Sequence, residues 1–220
     1  MLGWLRWSKR RNVMAEEIRL LGLPVMLLYL PERLRGRERK MSKALARLTR
    51  QRVSRLLVPP EFEYWSLCIR TGLYPVDTRA LCCVLAPVWV DTVLRAKGNR
   101  PEQAVLRLCG TRENSDMERV ARSLCPLVRN LIIDVPGKGE LAAHLRQEFG
   151  MPVLAAQAAR ADLTLHFAPG PILKGAKYSL RGCLLPRECE ILPLLSALWE
   201  SGRIQTEEIT LQIHDIVDFS

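Results

Sequence analysis

Apolar residues recur along this chain in two alternating patterns. Short apolar runs of four to six residues, closed by Gly or Pro, alternate with longer stretches in which apolar residues return every three or four positions. The first pattern predicts strands buried on both faces, and the second predicts helices with one apolar face. Residues 104–109 (AVLRLC) and 131–135 (LIIDV) are strands of this kind, closed by Gly110 and Pro136. Between them Met117, Val120, Ala121, Leu124, Leu127 and Val128 lie on one helix face. Ser115 followed by Glu118 has the spacing of a capping box, which makes Ser115 the expected N-cap. Leu141, Leu145 and Phe149 mark the next helix, ended by Gly150, and strands follow at MPVL and DLTLHF.

The first part of the chain repeats the scheme. Residues 25–30 (VMLLYL) and 55–58 (RLLV) are strands, and Met41, Ala44, Leu45 and Leu48 give the helix between them its apolar face. A short helix over 62–71 and a brief strand over 73–76 follow. A long helix over 78–97 contains Pro87, which removes a backbone donor and kinks it. VPPEFEYWSLCIRTGLYPV and VPGKGELAAHLRQEFGMPV share one layout 77 positions apart, which predicts a structural repeat. Residues 15–22 read as a short helix stopped by Gly22 and Pro24. Beyond Pro169-Gly170-Pro171 the pattern predicts a hairpin over 176–180 and 182–185, a helix over 188–201 and a final strand around Ile209, Leu211 and Ile213.

The predicted fold class is α/β: a doubly wound, mainly parallel sheet built of two βαβαβ-like halves, with a C-terminal hairpin, helix and strand. Residues 1–23 form a basic leader. Residues 24–168 form the α/β domain, with halves 24–77 and 102–168 joined by the helix 78–97. Residues 169–220 pack on it as an extension.

Charge sharpens this picture. The net charge is +10, but residues 1–60 hold 15 Lys+Arg against 4 Asp+Glu, leaving 18 against 19 for the rest. Trp4, Leu5 and Trp7 beside Lys9, Arg10 and Arg11 suggest a loose leader or an interfacial anchor, and Met14 offers a second start. No run approaches the roughly 18 apolar residues of a membrane span. The leader has its charges after its apolar residues, the reverse of a signal peptide. Seven cysteines without metal-ligand spacing read as core residues in a reducing compartment. A cytoplasmic protein without disulfides is the expectation.

Two three-strand βα halves joined by a long helix resemble the doubly wound Rossmann architecture over about residues 24–168. The resemblance implies the strand order 3-2-1-4-5-6, with 25–30 and 104–109 as adjacent central strands. It also implies a ligand crevice between the loops 31–40 and 110–116. The dinucleotide fingerprint is missing from both loops, which read LPERLRGRERK and CGTRENSD. Asp134 stands where a ribose-binding acid would.

Arg33, Arg35 and Arg37 in the first loop, with Gly110, Thr111, Arg112 and Ser115 in the second, are the candidate anion ligands, aided by helix N–H groups. A solvated basic loop is the ordinary alternative. Arg39, Lys43, Arg47 and Arg50 form a cationic helix stripe suited to non-specific contact with backbone phosphates. His144, His166 and His214 each stand alone, and neither a nucleophile elbow nor a metal motif is present. The expected function is therefore a non-catalytic Rossmann-like binding protein for an anionic small molecule or a protein partner, with no cofactor identified. An enzyme with a degenerate nucleotide or NAD(P) site is the alternative, disfavoured by the missing glycines. A basic accessory protein on nucleic acid or a membrane surface is the third reading.

Overall fold

The computed structural model describes every residue except 35–37, 137, 138, 156, 158, 168–175, 181–189 and 214–220. The chain is α/β, and its larger sheets are mainly parallel. It divides into two compact units, Met1–Thr78 with Leu180–Ile209, and Arg79–Ser179 with Thr210–Ser220.

The first unit is built on a five-stranded sheet. Its strands are β1 (Leu2–Ser8), β2 (Met14–Leu20), β3 (Leu23–Pro31), β4 (Arg55–Leu57) and β5 (Tyr74–Pro75), in the order β2-β3-β1-β4-β5. β1 lies parallel to both β3 and β4, and β4 lies parallel to β5. β2 is the antiparallel edge. Leu2, Trp4 and Leu5 are buried, so β1 is an interior strand and not a leader. Its apolar run is only four residues long, and the charges behind it mask the signal. Gly3 is required there, because a Cβ would come within 2.7 Å of Leu56 Cδ2 and 2.8 Å of Val53 Cγ1.

The helix expected over 15–22 is also a strand. Leu20 pairs with Leu23, and both intervening residues have positive φ, Leu21 at 47° and Gly22 at 78°. Two such residues make the I′ turn that matches the twist of a hairpin. Gly22 therefore closes a hairpin instead of ending a helix. The exposed, charged residues Glu16, Glu17 and Arg19 suit an edge strand.

Helix α1 (Glu38–Arg50) packs Met41, Ala44, Leu45 and Leu48 against Leu5, Leu28, Leu30 and Leu56. Its opposite face carries Arg39, Lys43, Arg47 and Arg50, all exposed. α2 (Trp65–Arg70) lies between β4 and β5 in the chain. The helix Ile191–Glu200, α6 in chain order, completes this unit. It is joined to the sheet by Arg55–Glu200 and by Ser196 Oγ, which donates to the Asp77 carbonyl at 2.7 Å. Ser196 is fully buried, so that bond offsets the cost of burying its hydroxyl.

The second unit holds α3 (Arg79–Ala96), β6 (Val105–Cys109), α4 (Ser115–Leu124), β7 (Asn130–Asp134), α5 (Glu140–Phe149), β8 (Val153–Leu154) and β9 (Leu163–His166). Its sheet runs β8-β7-β6-β9 with every pair parallel. Numbered from β6, that order is 3-2-1-4, which matches the first four positions of a Rossmann-like sheet. Leu106, Leu108 and Leu131 pack on Met117, Val120, Ala121, Leu124, Leu141 and Leu145, together with Ala86, Val90 and Leu94 of α3. β10 (Ala176–Leu180) and β11 (Ile209–Ile213) pair in a two-stranded sheet. The expected hairpin partner over 182–185 lies outside the described residues.

Each larger sheet is wound in both directions from a central strand, β1 in the first and β6 in the second. The 25–30 and 104–109 strands, expected as neighbours, therefore lie in separate sheets. Each strand has two edges to offer. Those of β3 are taken by β1 and β2, and those of β6 by β7 and β9. The order 3-2-1-4-5-6 is not formed, because β1 fills the place that resemblance gave to the second half.

One cap differs by a residue from its expected position. Asn114, not Ser115, precedes α4, and its Oδ1 accepts from Met117 N at 2.9 Å. Asn114 has the extended backbone of an N-cap, while Ser115 is already helical. Asn114→Ala is expected to cost about 1 kcal/mol by losing this bond, whereas Ser115→Ala should cost little. Urea unfolding curves of the two variants would show it, and equal losses would contradict this assignment.

Candidate functional site

In a parallel sheet, ligands gather beyond the carboxyl ends of the strands, where the winding reverses. In the first unit the winding reverses between β1 and β4, and the loops after β1 and β3 leave the same carboxyl edge on the other side of β1. Ser8 pairs with Pro31, so residues 9–13 and 32–34 leave the sheet side by side. They carry Lys9, Arg10, Arg11 and Arg33, all exposed. The Arg33 guanidinium donates to the Arg11 carbonyl. Arg10 lies over the Tyr29 ring at 5.0 Å and donates to Met14 Sδ at 3.0 Å. Arg47 of α1 reaches the Val13 carbonyl at 3.4 Å. These contacts hold the guanidiniums without neutralising them. Among the described residues no carboxylate forms an ion pair with Lys9, Arg10, Arg11, Arg33 or Arg47. Tyr29 donates its hydroxyl to Glu16 at 2.9 Å, and that bond is the main cause raising its pKa.

Arg35 and Arg37 lie outside the described residues. Arg33 is thus the one first-loop candidate with a described position. Lys9, Arg10 and Arg11 read in the sequence as part of a leader, which hides them as candidate site residues. Their signal was a basic run directly after an apolar one.

The second unit has its own rim. The loop after β6 holds Gly110, Thr111 and Arg112, and Ser115 begins α4. Thr111, Arg112 and Ser115 are exposed. A Cβ on Gly110 would meet Met117 Cε at 3.0 Å, so this glycine serves close packing beneath α4. Glu113 enters the same loop and works against an anion there. Its Oε2 accepts from Leu141 N at 3.2 Å, while its buried Oε1 has no hydrogen-bond partner among the described residues. The first turn of α4 is partly occupied too, since Asn114 satisfies the N–H groups of Met117 and Glu118.

Asp134 ends β7, opposite Cys109 of β6, and Cys109 is in turn opposite His166 of β9. The three polar residues therefore form one row across the strand ends. Asp134 Oδ2 lies 3.5 Å from Arg107 Nη1 and 3.8 Å from Cys109 Sγ. Desolvation first, then the charge of Asp134, pushes the Cys109 thiol up. The row was legible only once the strands were aligned, because its members sit 25 and 57 positions from Cys109 in the chain.

Neither a family model nor a curated protein matches this chain. Among solved structures it is similar to the crystal structure of L-tryptophan dehydrogenase from Nostoc punctiforme. Identity is 13%, the TM-score is 0.33, and the match covers 75% of this chain and 54% of that one. The chain thus spans about half the length of that structure.

Among the described residues no group of His, Cys, Asp and Glu is placed to hold a metal ion, and no helix is long and apolar enough to cross a membrane. Among the described residues Cys68, Cys82, Cys83, Cys109 and Cys125 form no disulfide. Burial pushes Cys68 up to about 12 and is the main cause raising Cys83 to about 11. Such thiols pack as small apolar groups.

Proposed function

We propose that this protein binds polyanionic, phosphate-bearing ligands through the basic rim of its first sheet and catalyses no reaction there. The observation that supports this reading is the convergence of Lys9, Arg10, Arg11 and Arg33 at the ends of two paired parallel strands. Guanidiniums already held by Tyr29 and a backbone carbonyl lose less freedom on capturing a phosphate than free side chains do. The exposed α1 stripe Arg39, Lys43, Arg47 and Arg50 adds further contacts of the same sign. Arg35 and Arg37 follow Arg33 in the chain and belong to the same proposal. Gly110, Thr111, Arg112 and Ser115 are proposed as a lesser contact, since Glu113 stands among them. Asp134 is engaged by Arg107, which does not favour the ribose role that a nucleotide enzyme would give it.

The test is fluorescence anisotropy with a labelled single-stranded oligonucleotide, with inorganic polyphosphate as competitor, over a range of salt. Wild type should bind with an affinity that falls steeply as salt rises, by a log–log slope of about −0.7 for each phosphate neutralised. Replacing Lys9, Arg10, Arg11 and Arg33 together by Ala should weaken binding at least about tenfold at low salt and flatten that slope. Arg112→Ala should change little. Equal binding by the fourfold variant, or no binding by wild type, would refute the proposal.

A further inference from the structure

The first unit also contains a cavity, apolar in character, beyond the carboxyl ends of β4 and β5. It measures about 420 Å³ and is lined by Leu56, Val58, Pro75 and Val76 from the strands and their exits, Trp65 and Ile69 from α2, Thr78, and Glu190 and Pro193 at the start of α6. That volume falls within the range of roughly 300–1,000 Å³ typical of small-ligand pockets.

Its walls are aliphatic, with one indole, and only two lining side chains are polar. Thr78 supplies a hydroxyl and Glu190 a carboxylate. Glu190 is the N-cap residue of α6, yet its side chain makes no capping bond. It is exposed, and among the described residues no cation pairs with it. Arg55, the cation that binds α6, pairs with Glu200 at the far end of that helix. A carboxylate at the rim of an apolar pocket, unpaired among the described residues, selects a ligand with one positive end and an apolar body. Trp65 adds to the selection, because a ring face attracts cations as well as apolar groups.

We infer that this cavity binds a small primary amine with an apolar, ring-sized body, its ammonium held by Glu190 and its body packed among Trp65, Ile69 and Val76. The arrangement is unlike the basic rim, and the two ligand classes carry opposite charge.

Calorimetric titration with 2-phenylethylamine tests it, with 3-phenylpropionate as the anionic counterpart. The amine should bind saturably, one per chain, and the carboxylate at least about tenfold more weakly. Glu190→Gln removes the charge at an exposed position. It should cost the amine about tenfold or more in affinity while leaving the melting temperature unchanged. Ile69→Trp, also at an exposed position, narrows the cavity and should abolish binding. The inference is overturned if the amine does not saturate, if the anion binds as tightly, or if both variants bind like wild type.

Discussion

A chain that starts at Met14 is expected to lose the first sheet altogether. Truncation there removes β1, whose residues pair with β3 on one side and β4 on the other. Leu2 and Leu5 are buried to 5% and 0% exposure and Trp4 to 3%. Burying the two leucines contributes about 1.5–3 kcal/mol each, and loss of a buried Trp costs about 3–5 kcal/mol. The sum, on the order of 6–11 kcal/mol, rivals the roughly 5–15 kcal/mol that stabilises a whole domain. β3 and β4 would also be left with open edges. Far-UV circular dichroism and a urea titration of residues 14–220 against the full chain would check this. A truncated protein with unchanged helix and strand content and the same midpoint would mean that β1 is dispensable.

Leu106→Ala is expected to have the next largest effect. Leu106 is fully buried in the middle strand of the second sheet and belongs to a cluster with Met117, Val120, Leu131 and Leu145. Strands lie on both sides of it and α4 and α5 supply part of the cluster, so the gap has little freedom to collapse. Deleting such a leucine costs about 2–5 kcal/mol, set by how much cavity remains. Urea unfolding should show a lower midpoint with an unchanged slope. Val84→Ala, at an exposed position of α3, should change stability by less than about 0.5 kcal/mol and serves as the control. A loss of under about 1 kcal/mol for Leu106→Ala would mean that the core repacks.

Periodicity made the second unit legible almost residue by residue. β6, α4, β7, α5, β8 and β9 each stand within a few residues of the expected place. The helices α4 and α5 are long enough to show one period, and the strands β6 and β7 are closed by Gly110 and Pro136. The first two strands were not legible, for two different reasons. β1 offers four apolar residues before Arg6, and four residues cannot establish a period. β2 contains good helix formers, and what makes it a strand is the positive φ of Leu21, which no local propensity announces. Misreading these two strands changed the topology, because β1 takes the sheet position otherwise left for a strand of the second half. It also changed the site. Lys9, Arg10 and Arg11 stand out in the sequence as charge, and only the pairing of Ser8 with Pro31 gives them a place. Arg107 shows the same limit. It reads as an interruption of an apolar strand, and only alignment with β7 brings it to Asp134.

The first unit is made of two separated pieces of chain, Met1–Thr78 and Leu180–Ile209. During synthesis its five strands are complete by Pro75, but α6 arrives only with Ile191–Glu200. At about 5–20 residues per second, that leaves a gap of roughly 6–25 s. For that time Asp77 lacks the Ser196 hydroxyl, Arg55 lacks Glu200, and the apolar residues around Leu56 and Val76 are without the helix that later lines their cavity. The nascent sheet must wait with an open flank while the whole of β6 to β9 is being made.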